Sequence, residues 1–437
     1  MIPKKPALDL IRGGYWFSEK IMLNEKDKRG NMTMNWLRII TIIGAATVSP
    51  ALAQDVKLPD GPGKDTVAAT CGACHRMAIL ANGYTPEGWH TVMRMMLNFG
   101  VPVPKDEVTT VTDYLIKAFP ERPRPAAAIV PGPAEIAIKQ WPVPTPGSRP
   151  HDPLAARDGA IWYTGQLANA LGRIDPKTGA IKEFHTNDQT GPHGLVEGPD
   201  GNIWFTGNFR SLIGKLDPNT GKVTEYKLPD PAARDPHSLT FDRNGILWFT
   251  VQNGNFIGRL DPKTGDISLT KPPTANARPY GILINSKGIP FVVEFGVNKV
   301  ARIDPQTMQI TEYELPNPAA RPRRLAITPD DAVWYTDFAR GFLGRLDPAT
   351  GKVTEWQSPS GPKSAPYGIV FTKGALWYSE SFAKPNTVVR FDPQTQKFQT
   401  WAIPGGGDIV RNMDVTRDGN PVLANSLVNE VTLVEIK

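Results

Sequence analysis

The sequence predicts a multidomain chain. A small all-α unit is followed by an all-β seven-bladed propeller closed by its own N-terminal strand. Three observations carry this. A repeat of about 43 residues fills the C-terminal two thirds, helix-period apolar patterns occupy a short stretch before it, and a proline-rich segment lies between.

In chain order, residues 1–33 read as an N-terminal extension or a miscalled start. Residues 34–53 read as a signal peptide. "MNWLRIITIIGAATVSPALAQ" begins at Met34, carries Arg38 as its positive flank and runs apolar from Ile39 to Val48. It ends in Ala51-Leu52-Ala53, an A-x-A-type cleavage site. The apolar run is shorter than the ~20 residues of a spanning helix, so cleavage is expected and no transmembrane anchor remains in the mature protein. Residues 1–53 hold eight of the 49 Lys and Arg and four of the 43 Asp and Glu, so the formal charge of +6 falls to +2 once they are removed. No basic patch is left to argue for nucleic acid.

Residues 55–120 form the helical unit. It contains "CGACHRM", with the only two cysteines of 437 residues. A C-x-x-C-H motif reads as a c-type haem attachment site, in which Cys71 and Cys74 form thioethers and His75 reaches the iron as proximal ligand. The rival readings are weaker. A structural zinc site takes four ligands and no second cysteine pair exists, whereas a redox C-x-x-C has no use for His75 and no βαβ pattern surrounds it. Haem attachment outside the cytoplasm agrees with the leader, and the expected location is periplasmic. Around the motif, "KDTVAATCGACHRM" reads as a short helix. "TPEGWHTVMRMMLNFG" reads as a second, with Thr85 as N-cap and Trp89, Val92, Met93 and Met96 on one face. "KDEVTTVTDYLIKAF" gives a third, with Val108, Val111, Tyr114, Leu115 and Phe119 inward. Met96 is the expected distal iron ligand, with Met93 and Met95 as alternatives. The unit resembles the c-type cytochrome domains attached to periplasmic dehydrogenases in its CxxCH, its W-x-x-V-x-x-x-M helix and its final "YL" helix.

Residues 121–134 are a Pro-rich linker, read as an extended, semi-rigid spacer. The propeller occupies 135–437. "DGAIWYT", "DGNIWFT", "NGILWFT", "KGIPFVV", "DDAVWYT" and "KGALWYS" place aromatics at Trp162, Trp204, Trp248, Phe291, Trp334 and Trp377, and "DGNPVLA" places Val422. Each is followed by a turn such as "LDPKTG", where Pro presets φ and Gly takes positive φ, and then by a closing strand such as "KVTEYKLP". Four short strands per repeat is a propeller blade. The last unit lacks a fourth strand and "EIAIKQWPVP" is an orphan at the start, which argues for a closed ring over an open solenoid.

Eleven positions before each blade's aromatic residue (ten in the sixth blade) stand His151, His193, His237, Tyr280, Arg323, Tyr367 and Arg411. Three residues after it stand Gly165, Gly207, Val251, Glu294, Asp337 and Glu380. Hairpin geometry predicts that both sets meet near the central channel. Residues that recur once per blade also serve packing. Three histidines on adjacent blades nevertheless suit a divalent metal or ligand site. The channel candidates for catalysis are therefore His193, His237, Tyr280, Arg323, Tyr367, Glu294, Asp337 and Glu380.

The W-F/Y-T strands and the "PHG" and "PYG" segments resemble the virginiamycin B lyase (streptogramin lyase) propellers over residues 135–437. That resemblance implies elimination on a cyclic depsipeptide ester by a His base, with Mg²⁺ held by glutamates in a Glu-x-His pattern and a second Glu after the next aromatic strand. No blade here has all three. Asp235-Pro236-His237 is followed by Val251, and Glu294 is preceded by Arg278-Pro279-Tyr280. The expected function is haem electron transfer with a redox partner protein or a small-molecule electron donor or acceptor, the propeller binding a ligand or partner. The alternatives are a lyase of that class, or a propeller that oxidises its substrate and passes electrons to the tethered haem.

Overall fold

The computed structural model describes residues 56–72, 77–98, 100–406 and 408–437. The leader, Cys74 and His75 lie outside them. No helix among the described residues is long and apolar enough to cross a membrane.

Among the described residues, three α-helices precede the propeller: α1 (Lys64–Cys71), α2 (Pro86–Asn98) and α3 (Val108–Ala118). The Thr85 hydroxyl caps α2 by accepting the Gly88 N–H at 3.1 Å. Trp89, Met93, Val111, Tyr114 and Leu115 bury their side chains in one core, as the apolar spacing requires. The Trp89 indole N–H donates to the Phe119 carbonyl at 2.8 Å and so ties α2 to the end of α3.

Twenty-eight strands follow, in seven four-stranded antiparallel sheets. Six blades use consecutive strands, for example β2 (Pro150–Ala155), β3 (Ile161–Gly165), β4 (Ala170–Ile174) and β5 (Ile181–His185). In the seventh, β1 (Ile136–Pro142) pairs along its length with β28 (Glu430–Ile436). The propeller's first and last strands are thus joined by a full ladder of backbone hydrogen bonds. The repeated tryptophans are wedges: Trp162, Trp204, Trp248 and Trp377 are at most 1% exposed. Trp204 packs with Leu239 and Phe249 of the next blade, so its large apolar area is spent on the seam between blades. On its other side it stacks on Tyr226 of its own outer strand, with centroids 5.5 Å apart.

The Asp-Pro turns close through their aspartates. Asp261 Oδ1 accepts the Lys263 N–H at 2.8 Å, and Gly265 takes φ 80°. The fourth and sixth blades put Met308 and Gln396 at the same positive-φ position, with φ 62° and 56°.

Residues 121–134 are extended but do not hang free. Ala127 N–H donates to the Lys384 carbonyl, and Val130 pairs with Thr400 of the sixth blade's outer strand. Arg124 forms an ion pair with the buried Asp408. The expected spacer is therefore a strip laid against the sixth blade, because its backbone finds partners on that blade's open edge.

Candidate functional site at the propeller channel

Every blade carries an irregularity at the same place. The inner strand's register slips between Pro150 and Pro153, Pro192 and Leu195, Pro236 and Leu239, and at the matching residues of the other four blades. A bulge inserts one residue and re-aims side chains. The threonine of each W-F/Y-T strand fixes it. Thr206 Oγ1 accepts the Gly194 N–H at 2.7 Å and donates to the His237 carbonyl of the next blade at 2.9 Å. Thr164, Thr250 and Thr336 repeat the clasp toward His193, Tyr280 and Tyr367. His193, His237, Tyr280 and Tyr367 are thereby each pinned by the preceding blade.

The seven residues eleven or ten positions before the aromatics do converge. His151 and His193 ring centroids lie 3.5 Å apart, His193 and His237 4.0 Å, and His237 and Tyr280 3.7 Å, forming a spiral of four rings. Tyr280 and Tyr367 hydroxyls share a short hydrogen bond across the ring. The Arg323 guanidinium lies over Tyr367 and Phe338, 4.0 and 4.1 Å from the ring centroids. His193 Nδ1–H donates to the His237 carbonyl at 3.1 Å, and His151 Nδ1–H to Asp152 Oδ1 at 2.8 Å, which leaves Nε2 as the acceptor on both neutral rings. Burial, then the neighbouring histidine or arginines, holds all three histidines well below the usual imidazole range.

A second layer was not evident in the sequence. Arg324 reaches across the ring, donating to Asp152 Oδ1 and to Ser238 Oγ, each at 2.9 Å, and Asn412 donates to Asp152 Oδ2 at 2.9 Å. The bulge turns these residues inward beside the first set. The doublets His151-Asp152, His237-Ser238, Arg323-Arg324 and Arg411-Asn412 were the available signal, but strict alternation sends the second member of each pair outward.

The carboxylates do not join the ring, which corrects the hairpin expectation. Glu294, Asp337 and Glu380 pair directly with Pro279, Pro322 and Pro366. Opposed residues share a face, so the carboxylates lie with the prolines and not with the next residue along. Asp337 accepts from Arg340, and Glu380 accepts from Ser358 and Thr387. Glu294 is fully buried, neither oxygen has a hydrogen-bond partner, and burial followed by Glu312 pushes it up to about 8.

His151, Asp152 and His193 place one ligating atom each within 4.8 Å of one another. This is the channel's best cation geometry. It faces Arg149, Arg324 and Arg411, which also act on the histidines.

The helices sit over this channel. Glu87 Oε1 on α2 accepts the Gly147 N–H at 3.0 Å. Tyr84 packs into the apolar cluster that contains Tyr280 and Tyr367. The same Tyr84 lines an apolar pocket among the helices with Cys71, Leu80, Trp89, Met93, Met95 and Met96.

Solved structures share the propeller. A streptogramin B lyase is 28% identical, covering 69% of this chain and 98% of its own, with a TM-score of 0.63. Virginiamycin B lyase from Staphylococcus aureus is 26% identical, covering 69% and 99%, with the same TM-score of 0.63. A hydrazine synthase chain from Kuenenia stuttgartiensis, 14% identical with a TM-score of 0.57 over 66% of this chain and 96% of its own, shares the fold alone. No curated protein matches. The family model for virginiamycin B lyases matches residues 128–393, more than half of the chain. Seven blades, the repeated aromatic strands and that match lead to one conclusion: this chain belongs to the virginiamycin B lyase family.

Proposed function

We propose that the chain is a periplasmic c-type cytochrome that exchanges single electrons with a small molecule held in its propeller channel. The observation that carries this is Tyr84, which lines the Cys71 pocket and packs against the channel tyrosines at once. The pocket residues fit a haem. Its walls are apolar, Cys71 lies on them with a thiol for one thioether, and three methionines line it. Met93 is packed in the core with Trp89, whereas Met96 is half-buried on the pocket wall, which supports Met96 as distal ligand. Cys74 and His75 supply the second thioether and the proximal imidazole in this reading. When bound, haem c supplies one-electron chemistry, and a Met/His pair raises its potential.

Family membership favours a second reading, elimination on a cyclic ester. That chemistry asks for carboxylates beside a histidine. Here Asp152 is held by Arg324 and Asn412, and Glu294, Asp337 and Glu380 face away.

Protein purified from cells competent in cytochrome c maturation is expected to keep a haem stain on a denaturing gel. Cys71→Ala should leave at most one thioether. A stain-negative wild-type band sinks the electron-transfer reading, and ester cleavage by such a band supports the second.

A further inference from the structure

We infer that Tyr280 and Tyr367 form a phenol–phenolate pair with one proton between them, and that this pair exchanges single electrons with the Cys71 pocket past Tyr84. The inference deepens the electron-transfer reading and rests on it for the last step alone.

Hydrogen bonding is the first argument. Tyr280 and Tyr367 are 3% and 0% exposed, so bulk water serves neither hydroxyl. The two hydroxyls bond to each other. Arg323 also bonds both phenols, and Arg411 bonds Tyr367. A guanidinium only donates. One phenol proton therefore serves the shared bond, while the other meets donors. Losing that second proton lets the oxygen accept from all of them.

Tyr367 is the phenol that loses it. The Arg323 guanidinium lies 4.0 Å from the Tyr367 ring centroid and 5.2 Å from that of Tyr280. The charged groups acting on the pair are Arg149, Arg323, Arg324 and Arg411, and His237 beside Tyr280 is neutral. Burial keeps Tyr280 above its ordinary value. Burial acts on Tyr367 too, but Arg323, Arg411 and Arg324 outweigh it and draw that phenol down. Two like groups pushed apart in this way divide into an acid and a base.

The route to the helices is the second argument, and it is independent of charge. Tyr84 packs on the cluster that holds Tyr280 and Tyr367, and it lines the Cys71 pocket. Its ring meets Trp89 edge-on, with centroids 5.0 Å apart. An aromatic path thus runs from the pair to the pocket wall.

A phenolate gives up an electron more readily than a phenol, because no proton has to leave with it. The Tyr367 phenolate passes one electron to a one-electron oxidant and becomes a neutral phenoxyl radical. No bond forms or breaks, and the shared proton stays on Tyr280. The radical regains its electron from a reduced haem in the Cys71 pocket, with Tyr84 between them.

NMR of full-length protein carrying carbon-13 at tyrosine Cζ reads the charge on each ring. One resonance is expected at the phenolate position at neutral pH, to vanish in Tyr367→Phe and to move in Tyr280→Phe. Neutral tyrosines throughout, or a phenolate that stays in place in Tyr367→Phe, overturns the inference. Where Tyr367→Phe does not fold, Tyr280→Phe decides, and a phenolate resonance left unmoved is equally fatal. Photo-oxidation by a ruthenium polypyridyl then generates the radical for EPR. Wild type is expected to give a phenoxyl signal that Tyr367→Phe loses, and that decays faster beside ferrous than beside ferric haem. A signal that survives the substitution, or a decay indifferent to the haem's oxidation state, removes the redox role. Protein that carries no haem yet shows the phenolate refutes the electron-transfer reading and leaves the pair standing. Haem with every tyrosine neutral refutes the pair alone.

Discussion

Glu294 shows what a single side chain does when its surroundings give it no partner. Its folded affinity for a proton is higher than its unfolded one, at about 8 against 4.5. Stability from this group is therefore complete below about pH 4.5 and is lost as pH rises toward 8. Glu294→Gln keeps the shape and removes the titration. The variant is expected to match wild type near pH 4.5 and to exceed it increasingly up to pH 8. The gap should reach a few kcal/mol, at about 1.4 kcal/mol per unit. Chemical denaturation at a series of pH values measures it, and a gap that does not change with pH contradicts the argument. The channel histidines work in the opposite sense. Each is buried neutral, so their contribution falls as acid charges them in the unfolded chain, below about pH 6.5.

At the scale of the element, four of the seven blades match a ring on their second strand to a hole on their third. Tyr163, Phe205, Phe249 and Tyr335 lie opposite Gly172, Gly214, Gly258 and Gly344. A Cβ on Gly258 would sit 2.2 Å from Phe249 Cζ, and one on Gly172 1.9 Å from Tyr163 Cζ. The fourth blade has Val292 opposite Ala301, a smaller knob over a filled hole. Gly258→Ala should cost about 1–3 kcal/mol by overpacking. Phe249→Leu in the same chain should recover part of that loss. Urea midpoints of the single and double variants decide it, and an undiminished midpoint in Gly258→Ala removes the packing account. The sixth blade departs, with Tyr378 opposite Val389, its hydroxyl shared with Ser358 at 2.8 Å.

Over the whole molecule, residues 121–134 run from the helical unit along the sixth blade. Arg124 is the anchor, since Asp408 is fully buried and its carboxyl is raised by burial against the pull of Arg124. Arg124→Ala removes that carboxylate's ion-pair partner and should destabilise the fold by about 3 kcal/mol. Arg124→Ala with Asp408→Asn should restore most of it. Limited proteolysis within 121–134 should accelerate in the single variant and slow again in the double. Equal cleavage in all three proteins means that the strip is held by its other bonds, to Lys384, Thr400, Ser360 and Gln399.

Blade number, blade length and the ring of His, Tyr and Arg were legible in the sequence, because a propeller writes its period into aromatics and turns that local chemistry requires. Asp-Pro-x-Thr-Gly must turn, and an alternating W-F/Y-T strand must bury its indole. The three helices were legible for the same reason, from spacing and a cap at Thr85. The partners of each charge were not. Strand alternation placed Glu294, Asp337 and Glu380 in the channel, and a bulge clasped by threonines decided otherwise, turning Asp152 and Arg324 inward instead. A one-residue slip reverses which face a side chain takes, and that slip is held by hydrogen bonds between neighbouring blades. The docking of Tyr84 on the channel mouth is likewise a contact between residues far apart in the chain. No local pattern records it, since the surface that Tyr84 meets exists only once the ring has closed.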